Sequence, residues 1–85
     1  MKIMWEAKNV VCGTTVAIPG SEERFLLGYT PRETKNDQLL INLRYGVTIR
    51  FNSKEEVADH LTNHGFWPTK LLDATIQARL TEYTV

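Results

Sequence analysis

The stretch LLINLRYGVTIRFNSKEEVADHLTNHGF, residues 39–66, decides how this chain folds. Its first half reads as two apolar strands joined near Tyr45-Gly46, and its second half as one amphipathic helix with a signal at each end. A two-residue turn at Tyr45-Gly46 pairs Arg44 with Val47 and Ile41 with Arg50, mixing charged and apolar side chains on both faces. A three-residue loop, Arg44-Tyr45-Gly46, pairs Leu43 with Val47, Ile41 with Ile49 and Leu39 with Phe51 on one face. Asn42 then meets Thr48, and Leu40 meets Arg50, on the other. The spacing therefore predicts the three-residue loop, with Gly46 where such a loop needs a left-handed backbone.

The helix that follows is specified locally. Ser53 and Glu56 form an S-x-x-E capping box, in which the serine hydroxyl accepts the amide three residues on and the glutamate reaches back. Val57, Ala58 and Leu61 make the apolar stripe. Gly65 stands one place past the end, with Phe66 positioned to touch Leu61, as a Schellman terminus requires.

Working outward, NVVCGTTVAI (residues 9–18) is rich in β-branched residues and precedes Pro19-Gly20, so it reads as a strand ending in a turn. Ile3 and Trp5 alternate with polar neighbours as a short earlier strand would. RFLLGY (24–29) is the next strand, with Phe25, Leu27 and Tyr29 on one face and Arg24, Leu26 and Gly28 on the other. TPRETKNDQ (30–38) has no apolar residue and reads as a solvated loop. After the corner Phe66-Trp67-Pro68, a second helix opens at Pro68 or Thr69, with Leu72, Ile76 and Leu80 at every fourth position. Residues 80–85 continue that helix or turn into a last strand. The fold class expected is α+β: an antiparallel meander of three to five strands, then two C-terminal helices packed on one face of the sheet, all in one domain over residues 1–85.

Composition bounds the function. The chain of 85 residues, 42% hydrophobic and 24% charged, has the make-up of one globular domain with little room for a deep enclosed active site. Its formal net charge of zero argues against a generic polyanion binder and against an acidic nucleic-acid mimic. Cys12 is the only cysteine, so no disulfide forms within the chain and a reducing, cytoplasmic setting is expected. No apolar run approaches the ~20 residues that span a bilayer, and MKIMWEAKNV lacks the apolar core of a signal peptide, so no membrane partner is expected.

Two features invite chemistry. His60 and His64, four apart on one helical face, have the spacing of paired zinc ligands. Glu56 continues the stripe, but lies about 12 Å from His64 at ~1.5 Å rise per residue, too far to share an ion. With no third ligand specified, no metal and no cofactor are expected, and the histidines are read as favourable partners of the helix C-terminus. Cys12 lacks any motif of nucleophilic catalysis and is read as a buried strand residue. An enzyme, metal-dependent or thiol-based, is the weakest reading.

The face of the sheet turned from the core is the stronger candidate. It is expected to display Arg24, Leu26, Leu40, Asn42, Thr48 and Arg50, leucines bordered by guanidinium and amide groups, as in a protein interface. The reading is a non-enzymatic binding or regulatory protein acting through that face or the sheet edge, an inhibitor of a larger protein or a homodimer. The alternative is a nucleic-acid-binding module. A hairpin running into RFNSKEEVADHL resembles the sheet-then-helix arrangement of phage-integrase arm-binding domains, over about a third of the chain. That resemblance implies phosphate or base contact by Arg44, Arg50 and Lys35, with Thr48 and Asn42 as hydrogen-bonding groups; Arg24 joins them on the same sheet face.

Overall fold

The computed structural model describes residues 2–30 and 37–74. Strands β1 (Thr15–Ala17), β2 (Phe25–Tyr29), β3 (Gln38–Asn42) and β4 (Thr48–Phe51) form an antiparallel meander. Helix α1 (Lys54–Asn63) follows, and β5 (Trp67–Pro68) returns to pair with β1, giving the order β4-β3-β2-β1-β5. A second helix begins at Thr69, as expected; its continuation through Ile76 and Leu80, and the fate of residues 80–85, lie outside the described residues. The α+β class and the meander followed by helices are those the sequence predicts. Among the described residues no helix is long and apolar enough to cross a membrane.

The ends of α1 form as expected. Ser53 Oγ accepts the Glu56 N–H at 3.2 Å, and the Glu56 carboxylate accepts from Asn52 N–H at 3.0 Å, so the returning arm of the box lands one residue before Ser53. At the other end Phe66 N–H donates to Leu61 O at 3.0 Å and Gly65 N–H to Thr62 O at 3.3 Å, with Gly65 at φ 72°. That is the Schellman pattern, and Leu61 and Phe66 both enter the core.

Strand β1 is shorter than the expected 9–18. Gly13 N–H donates to Leu27 O at 2.8 Å, while Thr14 O accepts from Leu27 N–H at 2.9 Å. Two residues thus oppose one, and Gly13, at φ 92°, supplies the left-handed position of a bulge. Upstream, a 3-10 turn over Ala7–Asn9 takes in Asn9, the first residue of the expected strand. Cys12 therefore sits exposed in a turn, where a buried strand residue is expected from sequence.

The core gathers Val16, Leu27 and Leu40 from the sheet, Val57, Ala58 and Leu61 from α1, and Trp5, Val10 and Phe66. Each valine, leucine or phenylalanine among them contributes ~1.5–3 kcal/mol by leaving water. Ile3 and Trp5 form no strand. Trp5 N–H donates to Thr62 Oγ1 at 2.8 Å and its indole N–H to Phe66 O at 2.9 Å, which fastens this segment to the end of α1.

The central correction concerns the β3–β4 hairpin. Leu40 pairs with Ile49, Ile41 with Thr48, Leu39 with Arg50 and Gln38 with Phe51, one residue away from the expected register. The loop comprises residues 43–46, because Asn42 N–H donates to Val47 O at 2.8 Å and Gly46 N–H to Asn42 O at 2.7 Å. Asn42 Oδ1 also accepts from Arg44 N–H at 2.9 Å and Tyr45 N–H at 3.2 Å. This Asx cap satisfies the loop amides and stabilises one residue more of loop than apolar alternation predicts. A one-residue shift reverses the faces of β3 relative to β4.

Candidate interaction surface

With that register, alternation assigns each side chain to a face. Val16, Phe25, Leu27, Leu40, Ile49 and Phe51 share the α1 side. The opposite side carries two cross-strand rows, Leu26–Ile41–Thr48 and Gly28–Leu39–Arg50. Gly28 makes room there: a Cβ at this position would stand 3.2 Å from Ile41 Cδ1 and 3.4 Å from Leu39 Cβ.

Of the residues expected on the free face, Arg24, Leu26, Thr48 and Arg50 lie on the side opposite α1, whereas Leu40 and Asn42 do not; nor is that side open throughout, since Leu39 beside Arg50 is 8% exposed. Leu40 is 1% exposed in the core, and Asn42 spends its side chain on the loop. Arg24 is shared with Asp73, their charged atoms 3.9 Å apart. Arg44 lies over its neighbour Tyr45, 5.3 Å from the ring centroid. Lys35 lies outside the described residues.

The feature that pattern reading misses is the outer edge of the sheet. β4 is an edge strand, and the apolar residues expected in the core around it are solvent-facing: Leu43, Val47 at 61% exposure and Ile49 at 42%, beside Tyr45 at 63%. In an antiparallel ladder the residues of hydrogen-bonded pairs alternate along each strand. Asn42–Val47 is such a pair by its N–H···O bond, so Leu40–Ile49 and Gln38–Phe51 follow it. The bonds from Leu43 N–H to Arg24 O and from Thr30 N–H to Asp37 O confirm that the intervening β3 residues turn toward β2. Thr48 and Arg50 therefore point their backbone N–H and C=O groups away from β3, to the open side. The next amide of that set, Asn52 N–H, is taken by Glu56.

Edges of this kind are commonly blunted by proline, charged side chains, a bulge or shortness. β5, the opposite edge, is two residues long and contains Pro68. The four-residue TIRF of β4 has no proline and carries one charge, Arg50, and its ladder with β3 runs unbroken. The signal that could have revealed this edge is Asn42, four positions before Gly46, whose side chain marks the longer loop.

The remaining candidates are weaker. The rings of His60 and His64 stack with centroids 4.1 Å apart, and among the described residues no group of three or more His, Cys, Asp or Glu side chains could hold a metal ion. Burial, then neighbouring His64, holds His60 below the ordinary histidine pKa of 6.5. An open hollow of about 250 Å³ is lined, among the described residues, by Cys12, Tyr29, Gln38 and Lys54. Another, of about 300 Å³, lies between the Ile3–Met4–Trp5 segment and Pro68. Among the described residues, the first holds the Cys12 thiol without the histidine beside it that nucleophile activation requires, and the second has no thiol in its lining.

Among the described residues, fold and surface together define a small α+β domain with an apolar-flanked sheet edge at β4. Comparison with protein-family models, with curated proteins and with solved structures finds no match for this chain.

Proposed function

We propose that this domain is a binding protein that engages another polypeptide along β4, adding a strand to its sheet. The supporting observation is that, among the described residues, Thr48 and Arg50 present backbone groups without a partner strand, alternating with exposed Val47 and Ile49 along the β4 edge. Strand addition draws affinity from such main-chain groups and selectivity from alternate side chains. The reading sharpens the sequence expectation of a protein interface on the sheet face or edge, and it does not require catalysis.

The test is peptide display against the immobilised domain, with Arg50→Pro as control. Proline at position 50 removes an outward N–H and no bond to β3, so the fold is retained. Enriched peptides alternate apolar and polar residues, shift the amide signals of residues 47–51, and lose binding to Arg50→Pro. Peptides indifferent to Arg50→Pro, or a salt-sensitive response of Arg24, Arg44 and Arg50 to a duplex oligonucleotide, overturn it in favour of another surface or of nucleic acid.

A further inference from the structure

Resting on that reading, we infer that the β4 edge accepts the β4 edge of a second copy, antiparallel, with the two-fold axis passing between the two Ile49 residues. The argument is one of register. A symmetric antiparallel pairing must oppose outward-pointing residues to outward-pointing residues, and only registers centred on Thr48, Ile49 or Arg50 place the two strands alongside each other.

Centring on Thr48 sets Arg50 against Gly46 of the other copy. Gly46 is in the loop at φ 74°, with its N–H already given to Asn42 O at 2.7 Å, so that pair forms no ladder. Centring on Arg50 sets guanidinium against guanidinium and calls on Asn52 N–H, already given to Glu56 at 3.0 Å. Centring on Ile49 pairs Thr48 with Arg50 of the other copy, and Arg50 with its Thr48. All four residues then use the groups that point outward, and neither pair opposes like charges.

The side chains agree with that register. On the α1 side, Ile49 meets Ile49 in a close non-hydrogen-bonded pair, and Val47 meets Phe51 from each direction. The contact thereby covers Val47 and Ile49, 61% and 42% exposed in the single chain. A formal net charge of zero means that two copies approach without net repulsion. The strand is short beside the ~1,600 Å² of a stable interface, so the dimer is a weak, concentration-dependent one.

The experiment uses the full chain with Cys12→Ser. Ile49→Cys brings two thiols to a pair with Cα atoms ~4.5 Å apart, within disulfide range. Thr48→Cys leaves its thiols on a diagonal, at ~7–8 Å. Mild oxidation should give a covalent dimer for Ile49→Cys and monomer for Thr48→Cys. Sedimentation of the unmodified chain from about 10 µM to about 1 mM should show a rising dimer fraction, abolished in Arg50→Pro of unchanged circular dichroism. Equal cross-linking at both positions, or a monomer throughout, overturns the dimer. If the chain stays monomeric while displayed peptides still bind in an Arg50-dependent way, only the choice of occupant falls. If neither binds, the edge reading falls with it.

Discussion

His64 Nδ1 lies 2.9 Å from the carbonyl oxygen of His60, one helical turn back, while the two imidazoles stack 25° from parallel. His60 also meets the Phe51 ring edge-on at 5.2 Å, so it stands between the edge strand and its own helix neighbour. The neutral form is favoured in the fold, because burial and the adjacent His64 both oppose a charge on His60. The folded state thus binds fewer protons than the unfolded one, and stability rises with pH through this range. The contribution is present above the unfolded value of 6.5 and is lost as pH falls through the lower folded value. Thermal melts should therefore show Tm falling as the pH is lowered from above 6.5 and levelling off once it is below the folded value. His64→Gln should reduce the slope without removing it, since burial of His60 persists; a slope unchanged by His64→Gln would count against the pair.

The register of the β3–β4 hairpin makes opposite demands on two aliphatic residues. Leu40→Ala opens a cavity in the core and should cost ~2–5 kcal/mol in denaturant unfolding. Ile49→Ala, on the exposed edge, should cost about 1 kcal/mol or less. A three-residue loop would reverse the order, with Ile49 costly and Leu40 cheap.

The α1 caps are testable separately from the core. Ser53→Ala removes the acceptor of the Glu56 amide and should destabilise by ~1 kcal/mol. Gly65→Ala forces a Cβ into a left-handed backbone and should cost ~1–2 kcal/mol. Urea unfolding of each variant measures both, and the core contacts of Leu61 should keep either protein folded.

Cys12 is exposed, so a chromogenic disulfide reagent should titrate one thiol in the native protein without denaturant. Reaction only after unfolding would show the turn at residues 11–14 to be closed over the sulfur. The same experiment establishes how readily Cys12→Ser substitutes for the native residue.

What the sequence displays and what it conceals separate by distance along the chain. Ser53 with Glu56, and Gly65 with Phe66 and Leu61, settle their geometry within five residues, so capping chemistry makes α1 legible from end to end. The face assignment of Phe25, Leu27 and Tyr29 is plainer, because Arg24 and Gly28 flank Leu26 on the other face. In Leu39-Leu40-Ile41 alternation has two solutions, since adjacent apolar residues fit either face. The choice falls to the Asn42 side chain, whose bonds to the loop amides add no apolar signal. β1 is shortened by Gly13, which interrupts a β-branched run with a backbone conformation instead of a polar residue. Trp5 is hidden for a third reason: its partners Thr62 and Phe66 stand 57 and 61 residues away.

That last separation sets an order in time. The pairings from β1 to β4 join neighbours in the chain, and α1 carries its own start and stop. Docking of Trp5 on Thr62 and Phe66, and of β5 on β1, instead closes loops of some fifty residues or more, with a correspondingly larger entropy to overcome. Refolding should therefore build the hairpin and helix first and seal the opposite end of the sheet last. Trp5 changes surroundings only at that closing step, so its fluorescence in a Trp67→Phe background times the moment at which the domain becomes whole.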